Sequence, residues 1–124
     1  MTTKTEVLGD IVIFTASETL TWRDAIDATN NFFSSTPVKH ALWDMRKASL
    51  SDFPADEFLK VAKNGSRFAE VRGEGAKSAI LVTGDFNRML MEAFSAYALD
   101  ATPISFKVFV DMEKARAWLG AENP

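Results

Sequence analysis

The chain contains no cysteine. That absence excludes disulfide bonds, a thiolate nucleophile and cysteine-ligated metals. There is one histidine, His40. A single imidazole cannot build a histidine zinc site, and no serine or cysteine motif stands ready to partner it in nucleophilic catalysis. With no such partner, His40, early in its strand, reads as structural. A basic excess is also missing. Fourteen Lys and Arg stand against seventeen Asp and Glu, a net charge of −3. Proteins steered to nucleic acid carry a basic face, so no nucleic-acid partner is expected. No apolar run approaches the roughly 20 residues of a membrane-spanning helix. The opening MTTKTEVLGDIVIF has no long apolar centre and no small-residue cleavage site, so no secretory leader is expected and the cytoplasm is the default location.

What remains is a globular composition, 47% hydrophobic and 25% charged over 124 residues. That length fits one domain, residues 1–124. A chain of this size buries about two thirds of its unfolded surface, so it needs no metal or disulfide to stay folded. No cofactor is implied.

The apolar pattern gives the elements. Lys4 to Leu8, the turn Gly9-Asp10 and Ile11 to Phe14 read as an N-terminal hairpin. Thr21 with Asp24 reads as a helix start, with Trp22, Ala25, Ile26, Thr29 and Phe33 on one face. Lys39 to Met45 is a strand apolar on both faces at its centre, as expected of a covered parallel strand. Residues 54–72 read as a second helix with a stripe of Phe58, Val61, Ala62, Gly65, Phe68 and Ala69, broken at Gly73-Glu74-Gly75. Ser78 to Val82 is a short strand. A third helix opens at Asp85, with Phe86, Met89, Leu90, Ala93, Phe94 and Tyr97 as its core-facing stripe. Phe106 to Val110 is the last strand. Asp111 caps a final helix, Met112, Ala115 and Leu119 face the core, and Gly120 stops it. The last four residues read as loose.

The order is strand, strand, helix, then three strand-helix pairs. Such alternation implies an α/β fold, a mostly parallel sheet of four or five strands with an antiparallel N-terminal edge strand and helices packed on it. The opening VLGDIVIFTASETLTWRDAIDA, the strand HALWDM and the ending SFKVFVDMEKARAWL carry a family likeness. Taken in order, they resemble the SpoIIAA-like (STAS) superfamily, in particular small uncharacterised bacterial members with the close VF-x-D-x-x-x-A-x-x-WL. The resemblance implies a strand-helix superhelix after an edge strand. It also implies a regulatory or protein-interaction role. Superfamily members that antagonise anti-sigma factors carry Asp-Ser-Ser-Gly with a phosphorylated serine at the start of the second helix. Here the matching loop is Leu50-Ser51-Asp52-Phe53: the acid follows the serine and glycine is absent. Ser51 is the candidate phosphorylation site, without the intact motif.

Ligands of open parallel sheets bind beyond the carboxyl ends of the strands. That edge would gather Ser17, Asp44, Arg46, Ser49, Ser51, Thr83, Asp85, Arg88 and Asp111. Asp44 and Arg46 are expected near Asp85 and Arg88, with the two arginines able to hold an anion. The plainer reading makes these residues caps and solvated loop charges, with Ser51 or Asp52 capping the second helix. The run Gly73-Glu74-Gly75-Ala76-Lys77-Ser78 echoes a phosphate loop, but its glycine is displaced and it feeds a strand rather than a helix. Met91 and Leu99 lie off the third helix's main stripe: they mark either a dimer interface or a cleft for an apolar ligand, or they lie under neighbouring elements in the core, and a homodimer through the 85–100 helix is the expectation they motivate. A non-enzymatic interaction or regulatory module is therefore the first expectation. The alternative is a carrier for a small apolar or anionic ligand, motivated by ten phenylalanines and five methionines. An enzyme comes last, since only Asp44, Asp85 and Asp111 could act as acid or base.

Overall fold

Strand propensity begins at once. In the computed structural model, which describes residues 3–120, β1 (Thr3–Leu8) and β2 (Ile11–Thr19) form the N-terminal hairpin. Its turn uses Gly9 at φ +59, a left-handed conformation that glycine adopts without strain. The remaining elements are α1 (Trp22–Phe33), β3 (His40–Ser49), α2 (Phe58–Ser66), α3 (Ala69–Arg72), β4 (Lys77–Leu81), α4 (Asp85–Ala101), β5 (Ser105–Phe109) and α5 (Met112–Gly120). The last four residues, read from sequence as loose, lie outside the described residues.

The sheet has five strands in the order β1-β2-β3-β4-β5. Only the β1–β2 pair is antiparallel. Each crossover moves the chain one strand in the same direction. Right-handed crossovers then place α1, α2 and α4 on one face. Side chains alternate accordingly. Phe14, Trp43, Met45, Ile80 and Val82 enter the core beneath those helices. Ile13, Leu42 and Ala79 enter a smaller core closed by Ala115 and Leu119 of α5.

Local capping follows the sequence at two helices. Asp24 donates its backbone N–H to Thr21 Oγ1, and Thr21 N–H returns to Asp24 Oδ2, both at 3.1 Å. This is a reciprocal capping box. Asp111 Oδ1 accepts from the backbone of Glu113 at 2.8 Å, capping α5.

Two expectations about helices are corrected. The expected single helix over 54–72 is a 3-10 turn at Ala55–Glu57 followed by α2 and α3. No side chain caps it. Pro54 holds the cap position at φ −73, ψ 150, and neither Ser51 nor Asp52 bonds to the turn. The buried side chains of Leu50 and Phe53 anchor that loop, with Phe53 N–H bonded to Leu50 O. The serine sits too early in the chain to reach the helix start.

The second correction is larger. Of the expected core stripe of α4, Phe94 is buried, but Phe86, Met89 and Tyr97 are 65%, 66% and 53% exposed. The buried residues are Met91, Phe94 and Ala98. The helix is turned by about 100°, one residue's rotation, from the orientation its apolar stripe implies. Both arcs of α4 are apolar, so periodicity cannot choose between them. The positions of α2 and β5 make the choice.

Candidate functional site

Residues at the carboxyl edge come together because β3 outruns its neighbour. β4 pairs with β3 only as far as Leu81 opposite Asp44. Beyond that point β3 pairs with β2 alone, across a bulge between Thr15 and Ser17. Glu18 follows at φ +59, in the left-handed region for a non-glycine residue. The free side of the β3 extension meets the first turn of α4, where Asn87 Nδ2 donates to Ala48 O at 3.4 Å.

Asp44 sits where the strands part, and Arg46 clasps it. Arg46 Nε donates to Oδ1 at 3.0 Å, Nη2 to Oδ2 at 2.9 Å, and the Arg46 backbone N–H to Oδ1 at 3.2 Å. Burial acts to raise the Asp44 pKa. The Arg46 hydrogen bonds, with the charges of Arg46 and Lys47, outweigh it and hold the carboxyl below its ordinary value. A carboxylate so held is a weak proton acceptor at neutral pH. Arg46 is in turn occupied by this pair. Arg88 pairs with Glu92 at 3.7 Å, one turn along its own helix. Arg46 is therefore not an open anion clamp, whereas Arg88 is half exposed beside an acid of its own helix.

Ser49 and Ser51 lie side by side, with their hydroxyl oxygens 3.1 Å apart and both residues exposed. Thr83 and Asp85 are exposed where β4 passes into α4. Asp85 opens that helix after Gly84, at φ +90, with no side-chain cap bond. Asp111 is committed to capping α5. The three acids therefore serve separate elements. Among the described residues no cluster of three His, Cys, Asp or Glu is arranged to hold a metal, and no helix is long and apolar enough to cross a membrane.

Two features escaped the sequence reading. One is the outward face of α4, where Phe86, Met89 and Ala93 point to solvent and the half-exposed Tyr97 lies edge-on to Phe58, 5.8 Å between ring centroids. Its members were found, but they were assigned to the core. The other is Arg72, 7% exposed at the end of α3. Its spacing carried a signal, since Phe58, Ala62, Gly65, Ala69 and Arg72 follow one helical stripe. His40 accepts from Lys77 N–H through Nδ1 at 3.1 Å, tying β3 to the start of β4.

No family model and no curated protein matches the chain. A solved structure does. It is an uncharacterized protein of the DUF3478 family with a SpoIIAA-like fold, from Shewanella loihica PV-4. It is 25% identical to this chain, with a TM-score of 0.55. The match covers 94% of this chain and 91% of that one. The chain is thus an α/β protein with a SpoIIAA-like fold.

Proposed function

We propose that the chain is a non-enzymatic protein-interaction module that docks through the outer face of α4. The observation that carries this reading is the exposure of Phe86, Met89 and Tyr97, 65%, 66% and 53%, on one arc of a seventeen-residue helix. Large apolar groups gathered on one exposed face mark interaction surfaces, whereas scattered ones do not. The dispersal of Asp44, Asp85 and Asp111 into an ion pair, a helix start and a cap supports a role without catalysis. The reading needs no phosphate on Ser51.

A second copy of the chain fits this face best. In an antiparallel pair of α4 helices crossing at Ala93, positions equidistant from Ala93 meet. Met89 then faces Tyr97, Leu90 faces Ala96, and the small Ala93 lets the two helices approach closely. The central pairs are apolar, while Phe86 at the end of the arc faces Asp100, and the two-fold axis repeats each pair twice.

The test compares the wild type with the double variant Phe86→Ser, Met89→Lys by light scattering at micromolar concentration and by thermal unfolding. Association in the wild type and loss of it in a variant of unchanged melting temperature is the expected result. A wild type that is monomeric and captures no protein partner through this face overturns the proposal.

A further inference from the structure

β1 lies at the end of the sheet and, among the described residues, pairs with β2 alone. Its other edge is open, and Lys4 to Leu8 are all exposed. On the α1 side this edge borders a groove of about 490 Å³ lined by Thr3, Thr5, Asp24 and Phe32, so α1 does not close over it.

The hairpin fixes which backbone groups face the open edge. Leu8 and Ile11 flank the two-residue turn Gly9-Asp10 and stand opposite each other. In such a hairpin the flanking pair exchanges both backbone hydrogen bonds. Alternation then turns the N–H and C=O of Leu8, Glu6 and Lys4 toward β2, and those of Val7, Thr5 and Thr3 outward. The outward groups recur at every second residue, which is the template another strand adds to.

Charge selects the strand. Lys4 and Glu6 flank Thr5 and lie on one face of the sheet. We propose that β1 pairs antiparallel with β1 of a second copy about a two-fold axis at Thr5, joining two five-stranded sheets into one. Thr5 then meets Thr5, and Thr3 meets Val7 of the other copy, through the outward N–H and C=O groups. Lys4 stands opposite Glu6 twice, at the non-hydrogen-bonded positions where side chains come closest. Registers centred one residue away set Lys4 against Lys4 or Glu6 against Glu6, which repel. Charged side chains on an edge ordinarily block unrelated strands. Here they favour the register in which each finds its opposite. The contact lies at the β1 end of the sheet, whereas Phe94 of α4 packs on Phe106 of β5 at the other end. Neither proposal depends on the other. Five residue pairs make a small contact, so pairing is expected at roughly hundreds of micromolar, above the concentration that reads the α4 face.

The test is an NMR dilution series from millimolar to micromolar concentration. It is run on the wild type and on Met89→Lys, so that the α4 contact and this one are read apart. The Thr5 and Val7 amides are expected to shift and to gain protection from hydrogen exchange at the concentrated end, while those of Glu6 and Leu8 stay protected throughout. No concentration dependence at Thr5 and Val7 in either protein overturns the proposal. Lys4→Glu and Glu6→Lys each set two like-charged pairs face to face. Each alone is expected to weaken self-association about tenfold. Mixed in equal amounts, the two variants are expected to pair as tightly as the wild type, since each acid again meets a lysine. Melting temperatures at micromolar concentration check that both variants fold. Unchanged association in the single variants marks an edge that accepts any strand, and a mixture no tighter than its components removes the charge pairing. Either result overturns the self-matched register.

Discussion

Leu42 and Trp43 are neighbours in β3, yet they belong to different cores. Trp43 enters the layer beneath α1, α2 and α4, where it stacks on Phe14 with ring centroids 4.3 Å apart. That layer continues through edge-to-face pairs such as Phe58–Phe94 at 5.5 Å and Phe94–Phe106 at 5.4 Å. Leu42 enters the opposite layer, which among the described residues α5 covers and which holds the aromatic pair Phe109–Trp118. The two layers differ in more than size. A cavity of about 50 Å³ lined by Trp43, Phe53, Phe94 and Arg72 lies in the aromatic layer. The same layer carries α4, whose second apolar arc remains outside.

The sharpest way to break the aromatic layer is to put a charge in it. Met91 is 1% exposed. The sequence left it between a dimer contact and the core beneath neighbouring elements, and its burial places it in the core. Met91→Lys should cost more than about 4 kcal/mol, because the ammonium would be buried without a partner. Urea denaturation should show a largely unfolded protein. A variant that folds with less than half that loss would mean α4 can rotate its outer arc inward.

Truncation compares the layers more gently. Trp43→Ala should cost about 3–5 kcal/mol, and Leu42→Ala about 2–4 kcal/mol, since both leave cavities in packed cores. The pair shares one strand, but Trp43 loses the larger side chain, so a larger cost there is expected on size alone. Equal costs by urea denaturation would show that α5 packs as tightly as the three helices opposite. A loss below about 1 kcal/mol for Trp43→Ala would contradict its central place in the aromatic layer.

How much of this was legible in the sequence follows from the same contrast. The strands were readable because Val12 to Phe14, Ala41 to Trp43 and Ala79 to Val82 are apolar runs bounded by turn residues, whereas the break of the second helix into α2 and α3 was not. The caps at Thr21 and Asp111 were readable because capping is local chemistry. The orientation of α4 was not, because two adjacent apolar arcs satisfy the same period. The pairing of Asp44 with Arg46 was not, because two residues on one strand face meet only when the extension beyond β4 leaves them room. Leu99 was read as an off-stripe residue and is 79% exposed, on the side of α4 that carries the Arg88–Glu92 pair.

Acidification should act at the opposite end of the sheet. Burial lowers the His40 pKa, and the positive charges of Lys39, Lys77 and Arg72 add to this against the contrary pull of Asp10. The folded state therefore binds the imidazole proton less readily than the unfolded state, whose value is near 6.5. Stability is unaffected well above that value. It falls as pH drops through 6.5 toward the lower folded value, where the unfolded chain takes up the proton first. The expected signature is a melting temperature that declines between pH 7.5 and pH 5.5, with a smaller decline in His40→Asn, whose amide oxygen can still accept from Lys77. An identical slope in both proteins would assign the acid sensitivity to another group.

The smallest expected effect on stability is the one that isolates the outer arc of α4. Met89 is two residues from Met91 on the same helix, but it is 66% exposed rather than 1%. Met89→Lys places a strong helix former at an exposed position. Asp85 lies four residues before it and Glu92 three after, so the new ammonium gains helix neighbours of opposite charge, with the Asp85 acid on the favourable N-terminal side. Stability in urea should stay within about 0.5 kcal/mol of the wild type. Association should not. In an antiparallel contact at Ala93, each copy's residue 89 faces residue 97 of the other, so one substitution places two ammonium groups in the apolar contact. Light scattering should report monomers where the wild type associates. A loss of more than about 1.5 kcal/mol by urea denaturation would instead make Met89 part of the chain's own packing. The outer arc would then have to be counted with the aromatic layer beneath it.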